Sequence, residues 1–180
     1  DRLIIFQSDR LKALRVAQQT NSDKSWSSQI LHYMADIDLQ RLNWRKAVRV
    51  YEQLRTLDPE DTKARSSLID LNVRLGQESQ AVVELENSIS YWQSKVEDKK
   101  ALQFVEQLVE DHPAMILGRE KLAKLYQQNK QIAKAIEQYD KIGEVHLDAG
   151  NKEGAKEAIK SILAMNPPNA AQYRTYLEKL

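Results

Sequence analysis

Three prolines set the terms on which this chain can fold. Pro59, Pro113 and Pro167 stand 54 residues apart, from 59 to 113 and again from 113 to 167. A proline lacks the amide donor of a helix and pushes the residue before it out of helical geometry, so each one closes an element. Each also ends a similar phrase: Ala47…Glu52-Gln53-Leu54…Pro59, then Ala101…Glu106-Gln107-Leu108…Pro113, then Ala155…Ile162…Pro167. Ala81 and Ala135 share the separation, so alanines fall at 47, 81, 101, 135 and 155, in steps of 34, 20, 34 and 20. Internal periods of this size belong to chains that stack one supersecondary unit on the next.

The stacked units are helical. Leu, Ala, Lys, Glu, Gln and Arg, the good helix formers, dominate, and five Gly and four Pro in 180 residues are few breakers. Apolar residues recur at spacings of three and four, as in Leu122, Leu125 and Tyr126, or Ala81, Leu85, Ile89, Trp92 and Val96. No stretch alternates with period two. The pattern predicts about ten helices, near 2–20, 25–41, 44–57, 61–75, 78–96, 98–111, 113–128, 131–148, 151–164 and 168–179. The stretch 78–111 contains no Gly or Pro and could run as one long helix, but a break is expected near Glu97 to Lys100, because the face of Leu85, Ile89, Trp92 and Val96 does not continue onto Leu102, Val105 and Leu108. Gly76 and Gly150 suit left-handed positions just past a helix end.

The step of 34 is the period of tetratricopeptide repeats. Residues 28 to 61, with Leu31, Met34 and Ala35 and then Trp44, Ala47, Tyr51, Leu54 and Pro59, resemble that family's pattern. So does Leu122-Ala123…Tyr126…Ile132…Ala135-Ile136-Glu137…Tyr139. Residues 62 to 89 and the last unit, with Gly143, Gly150, Ala155, Ile159 and Pro167, are similar in outline. The resemblance implies an all-α fold, a right-handed α-solenoid of antiparallel helix pairs. Its implied organisation is an N-terminal helix over 1–24, repeats over 25–168 and a C-terminal capping helix over 169–180. Small residues at Ala35, Ala47, Ala81, Ala123, Ala135, Gly143 and Ala155 would let helices approach to about 8–10 Å, with Tyr51, Tyr126 and Tyr139 filling the wedges. The steps of 20 depart from the family: the helices near 78–96 and 131–148 read as the second of one pair and the first of the next. In the last helix Asn169 is expected at the N-cap, with Tyr173, Tyr176, Leu177 and Leu180 forming one apolar stripe.

Chemistry leaves few marks. The net charge of +1 gives no electrostatic case for nucleic acid or an anionic membrane, and no cofactor is expected. The apolar run Leu3 to Phe6 is far short of the roughly 20 residues a spanning helix needs. Charges at Asp1, Arg2, Asp9, Arg10 and Lys12 interrupt any signal-peptide core. Without Cys there are no disulfides or thiolate ligands. His32, His112 and His146 lack a second ligand at metal spacing, so no metal site is expected. No phosphate loop, nucleophile elbow or HExxH pattern occurs, and carboxylates interleave with Lys and Arg as on solvated helix faces. Trp44 and Trp92 are expected in the core, which leaves Trp26 as the Trp open to solvent.

These features imply a binding protein and not an enzyme. The resemblance implies a protein-interaction scaffold whose first helices line a concave groove for a peptide or helix of a partner protein. Carried over residue by residue, the contact set is Gln29, His32, Asp36 and Gln40, then Lys63, Ser66, Asp70 and Arg74, then Glu120, Lys124 and Gln128. The family's carboxylate clamp is not expected, since its Lys and Asn places read His32, Asp36 and Ser67. Self-association and the partner's identity stay open, and a cytoplasmic setting is the expectation. The start at Asp1 without Met suggests an excised piece, so the alternative is a regulatory or sensor arm behind a catalytic or signalling domain.

Overall fold

The computed structural model describes residues 2–20 and 24–180; Asp1, the residue behind the reading of an excised piece, lies outside them. Among the described residues there are ten helices and no strand. They are α1 (Arg2–Thr20), α2 (Lys24–Gln40), α3 (Trp44–Leu57), α4 (Thr62–Arg74), α5 (Glu78–Ser94), α6 (Asp98–Asp111), α7 (Ile116–Gln128), α8 (Ile132–Asp148), α9 (Lys152–Ala164) and α10 (Ala170–Lys179). The chain divides into two compact units, Asp1–Ser88 and Ile89–Leu180, and the border falls inside α5. In the first unit α1, α2, α3 and α4 pack in chain order, and in the second α6 to α10 do the same. Short connections between packed neighbours make antiparallel pairs, the tetratricopeptide-like arrangement that the resemblance implies.

Two kinds of turn punctuate the helices. Five turns without proline carry a left-handed residue: Leu42, Gly76, Val96, Lys130 and Gly150, with φ between 56° and 71°. In each, the next amide reaches back to a carbonyl five residues earlier, as Asn43 N does to Asp38 O (2.8 Å) and Gln131 N to Tyr126 O (2.8 Å). This closure satisfies carbonyls that a helix end leaves bare. Five residues after each left-handed position stands an alanine of the 34–20 series: Ala47, Ala81, Ala101, Ala135 and Ala155. All five are buried. A side chain of one carbon is what a close helix crossing admits.

The other turns among the described residues are the proline ones, between α3 and α4, α6 and α7, and α9 and α10, the last of which also has a left-handed residue, Asn166. After the first two an arginine six residues on ties the turn down: Arg65 Nε donates to Pro59 O and Arg119 Nε to Pro113 O, both at 2.7 Å. Arg65 is buried, and its Nη1 also donates to Ser88 Oγ (3.3 Å).

Three expectations need correction. Helix α7 begins at Ile116, not near 113: Pro113, Ala114 and Met115 form the turn, closed by Met115 N to His112 O (2.9 Å). The break between α5 and α6 falls at Lys95 to Glu97, earlier than the stretch from Glu97 to Lys100, because Asp98, Lys99 and Lys100 already belong to α6. Val96 does not continue the apolar stripe; its positive φ swings it outward, and it is 87% exposed.

The core of the first unit gathers Leu31, Ala35, Ala47, Tyr51, Leu54 and Leu68 from α2, α3 and α4. Burying a Leu of this kind stabilises by about 1.5–3 kcal/mol. The second unit buries Val105, Leu108, Leu122, Tyr126, Ile142 and Ile162. Trp92 is buried and Trp26 exposed, as expected, while Trp44 is half-buried against the first core. Among the described residues no helix is long and apolar enough to cross a membrane.

Candidate functional site

The expected residues of the first unit lie along α2 and α4. Proline and the N-cap fix the start of α4, where Asp61 accepts from Ala64 N (2.8 Å). The other carboxylate oxygen of Asp61 lies 2.6 Å from His32 Nε2 on α2. One turn along, Asp36 on α2 pairs with Lys63 on α4 at 3.5 Å. His32 also meets the ring of Tyr51 edge-on, with centroids 6.3 Å apart. Further down α4, Ser66 Oγ donates to Lys63 O (3.1 Å) and Arg74 Nε to Asp70 (2.7 Å). Gln29 and Gln40 are exposed at the two ends of the α2 row. Sequence reasoning missed Asp61, although an Asp two residues after a helix-ending proline is an N-cap signal.

Glu120, Lys124 and Gln128 lie exposed along one side of α7, in the second unit. Burial, helped by Glu120, raises the Tyr139 hydroxyl above its ordinary pKa. Nearby, Tyr126 Oη donates to Glu106 (2.7 Å), and burial together with that carboxylate raises its pKa strongly.

The second unit also holds an open groove of about 870 Å³ between α8 and α10, over α9. Its floor is apolar, formed by Gly143, Ala155, Ile159 and Ile162. Glu137, Asp140 and Glu144 of α8 stand on the lining against one cation, Lys141, whose Nζ lies 2.9 Å from Glu144. Opposite them α10 contributes Tyr173 and Tyr176. Tyr173 Oη donates to the Asp140 carboxylate, 2.9 and 3.0 Å from its two oxygens. Burial raises the Asp140 pKa above the usual carboxylate range, and the tyrosine hydroxyl pulls it back. Burial and the facing carboxylate together raise the Tyr173 hydroxyl.

The helix α10 differs from its sequence reading. Of the expected stripe Tyr173, Leu177 and Leu180 are half-buried, but no residue of the helix is fully buried and Tyr176 is 62% exposed. Asn169 makes no side-chain cap: at φ −101° and ψ 31° it is outside the extended geometry of a capping residue, and its amide turns to Gln172 instead (3.4 Å). Sequence reasoning also missed the groove. Its signal lay in positions 54 apart, since the inward residues of α4 and α7 have polar counterparts in α10. Among the described residues no three His, Asp or Glu side chains converge as a metal site would need.

No family model matches the chain, and no curated protein matches it. Among solved structures it is similar to a tetratricopeptide repeat protein from Parabacteroides merdae, at 18% identity over 98% of this chain and 78% of that one, with a TM-score of 0.41. It is similar also to YrrB, described as a TPR protein with an unusual peptide-binding site (15% identity, 94% and 100% covered, TM-score 0.38). MamA is a third (14% identity, 78% and 88% covered, TM-score 0.38). At overlaps this low nothing about any site passes from those proteins to this chain.

Proposed function

We propose that this chain is a protein-interaction scaffold, not an enzyme, and that it binds a peptide or helix of a partner protein. The observation that carries the reading is the groove between α8 and α10. Its volume of about 870 Å³, its apolar floor and its half-open wall suit side chains of a second polypeptide. Acid groups at its edge supply orientation, and the exposed ring of Tyr176 supplies an anchor of the kind that dominates protein interfaces. The polar faces of α2, α4 and α7 are proposed as further contact surfaces. Selection of random peptides displayed on phage against the immobilised chain tests the reading. Peptides should be enriched, and those using the groove should bind a Tyr176→Lys variant at least about tenfold more weakly, a loss of about 1.4 kcal/mol. Enrichment no greater than on a blocked surface would sink the proposal.

A further inference from the structure

Resting on that reading, we propose that the groove is an open helix seat, made for a partner's basic amphipathic helix that moves α10 aside. The seat becomes visible when the chain is compared with itself. In the first unit α4 lies on the α2–α3 hairpin, and its seat is Leu31, Ala35, Ala47, Tyr51 and Leu54, all buried. The residues 108 positions on, two 54-residue periods later, are Tyr139, Gly143, Ala155, Ile159 and Ile162. All five line the groove. The groove is thus the seat of α4 repeated on the α8–α9 hairpin, and α10 is the helix that stands at it.

That helix carries the wrong stripe. The inward side of α4 is Ala64, Leu68 and Leu71, and that of α7 at the same positions is Gly118, Leu122 and Leu125, all buried. In α10 the positions read Gln172, Tyr176 and Lys179, all exposed, and the side turned inward is instead the next one round, Ala170, Tyr173, Leu177 and Leu180, which is only half-buried. Placing an amide and an ammonium where two closely packed helices bury a small residue and a Leu forbids the same closure. What holds α10 to α8 is the polar contact of Tyr173 with Asp140, a bond any competing donor can replace.

Charge points to the occupant. Helices α4 and α7 each carry three cations against one anion, Lys63, Arg65 and Arg74 with Asp70, and Arg119, Lys121 and Lys124 with Glu120. In the first unit one of these cations, Lys63, reaches Asp36 of the seat-forming helix. The open seat offers Glu144 at that position, with Glu137 and Asp140 beside it. The fitting partner is a helix with a small residue, then Leu at the fourth and seventh positions after it, and an excess of Lys or Arg.

A fluorescently labelled peptide with the sequence of α7, Ile116–Gln128, is the probe, titrated into the chain and followed by anisotropy. It should bind one-to-one, while the same peptide carrying Leu122→Gln and Leu125→Lys should not. Glu137→Lys, an exposed change, should weaken binding about tenfold or more, and circular dichroism should confirm that the variant is folded. Tyr173→Phe, which frees both α10 and Asp140, should tighten binding by about three- to tenfold, the net value of one hydrogen bond. Binding that ignores both variants, or that the altered peptide reproduces, overturns the inference. An uncharged, proline-interrupted apolar peptide run in parallel separates the two readings. If it binds and the α7 peptide does not, the scaffold stands and the helix seat falls; if neither binds, both fall. A dimer in sedimentation velocity that Glu137→Lys dissolves would assign the seat to a second copy and overturn the partner helix.

Discussion

In the turns without proline a left-handed backbone recurs at residues 42, 76, 96, 130 and 150, and only at 76 and 150 is the residue a glycine. The others, Leu42, Val96 and Lys130, bear the steric cost of a Cβ facing its own carbonyl. Val96 is the worst placed, since a β-branched residue at φ 61° is a true outlier. Val96→Gly should therefore raise stability by about 0.5–1 kcal/mol, and Gly76→Ala should lower it by about 1 kcal/mol. Urea titration decides; a Val96→Gly chain no more stable than the parent would show that the turn is not strained. The glycines were legible in the sequence, but Leu42, Val96 and Lys130 were not, because no propensity marks a Leu, Val or Lys for this conformation. Another glycine works by space. A Cβ on Gly154 would fall 2.5 Å from His146 Nδ1, in a ring that also lies 3.2 Å from Asn151 Nδ2. The usual gain of about 0.5–1 kcal/mol for Gly→Ala in a helix should be absent in Gly154→Ala and return once His146→Ala clears the ring. A double-mutant cycle with coupling below about 0.3 kcal/mol would remove the ring as the cause.

At the scale of elements, the ten helices were legible from spacing, with prolines marking three of the turns and glycines two. What the sequence did not display was how those helices are tied. Arg119 reads as one more surface cation, yet it joins Pro113 O on its own turn to Gln138 Oε1 (2.9 Å) on α8, and burial lowers its pKa. Arg119→Ala should cost about 2–3 kcal/mol by leaving both acceptors short of a donor, and Arg119→Lys should restore little, since an ammonium lacks the two-pronged fork. Full rescue by Lys would reduce the role to charge. The contact between α8 and α10 has a pH signature. Asp140 holds its proton more tightly folded than unfolded, because burial raises its pKa. It therefore favours the fold at low pH, and that contribution is lost as pH rises from the ordinary aspartate value of about 3.9 through the raised one. Relative to the parent, Asp140→Asn should gain in urea midpoint between about pH 3 and pH 7. A constant difference across that range would contradict the assignment. The groove was hidden for a related reason: Tyr173, Tyr176, Leu177 and Leu180 look like one stripe on a helical wheel, yet Tyr176 faces solvent and the other three are half-buried, since a stripe is fully buried only if a seat closes over it.

Across the whole chain the alanine series proved the most informative pattern, since each member is buried five residues after a left-handed turn. The same regularity frames the last helix. A chain ending at Pro168 should lose only about 1–3 kcal/mol, because Ile159 and Ile162 are uncovered while none of α10's own residues is fully buried. It should nonetheless self-associate, since Ile159 and Ile162 would then face water over a contiguous patch. Denaturant titration and sedimentation velocity on the truncated chain read the two effects separately; a large loss of stability would mean that α10 seals the core after all. The two kinds of turn also govern how such a chain can grow. Helix α8 lies between the left-handed turns at Lys130 and Gly150, so it closes one hairpin and opens the next. Excising 34 residues around it would set a proline turn against a helix that needs the other kind. Only whole courses of 54 residues can be added or lost with every joint intact, so tandem duplication of the gene would lengthen the protein in fixed increments.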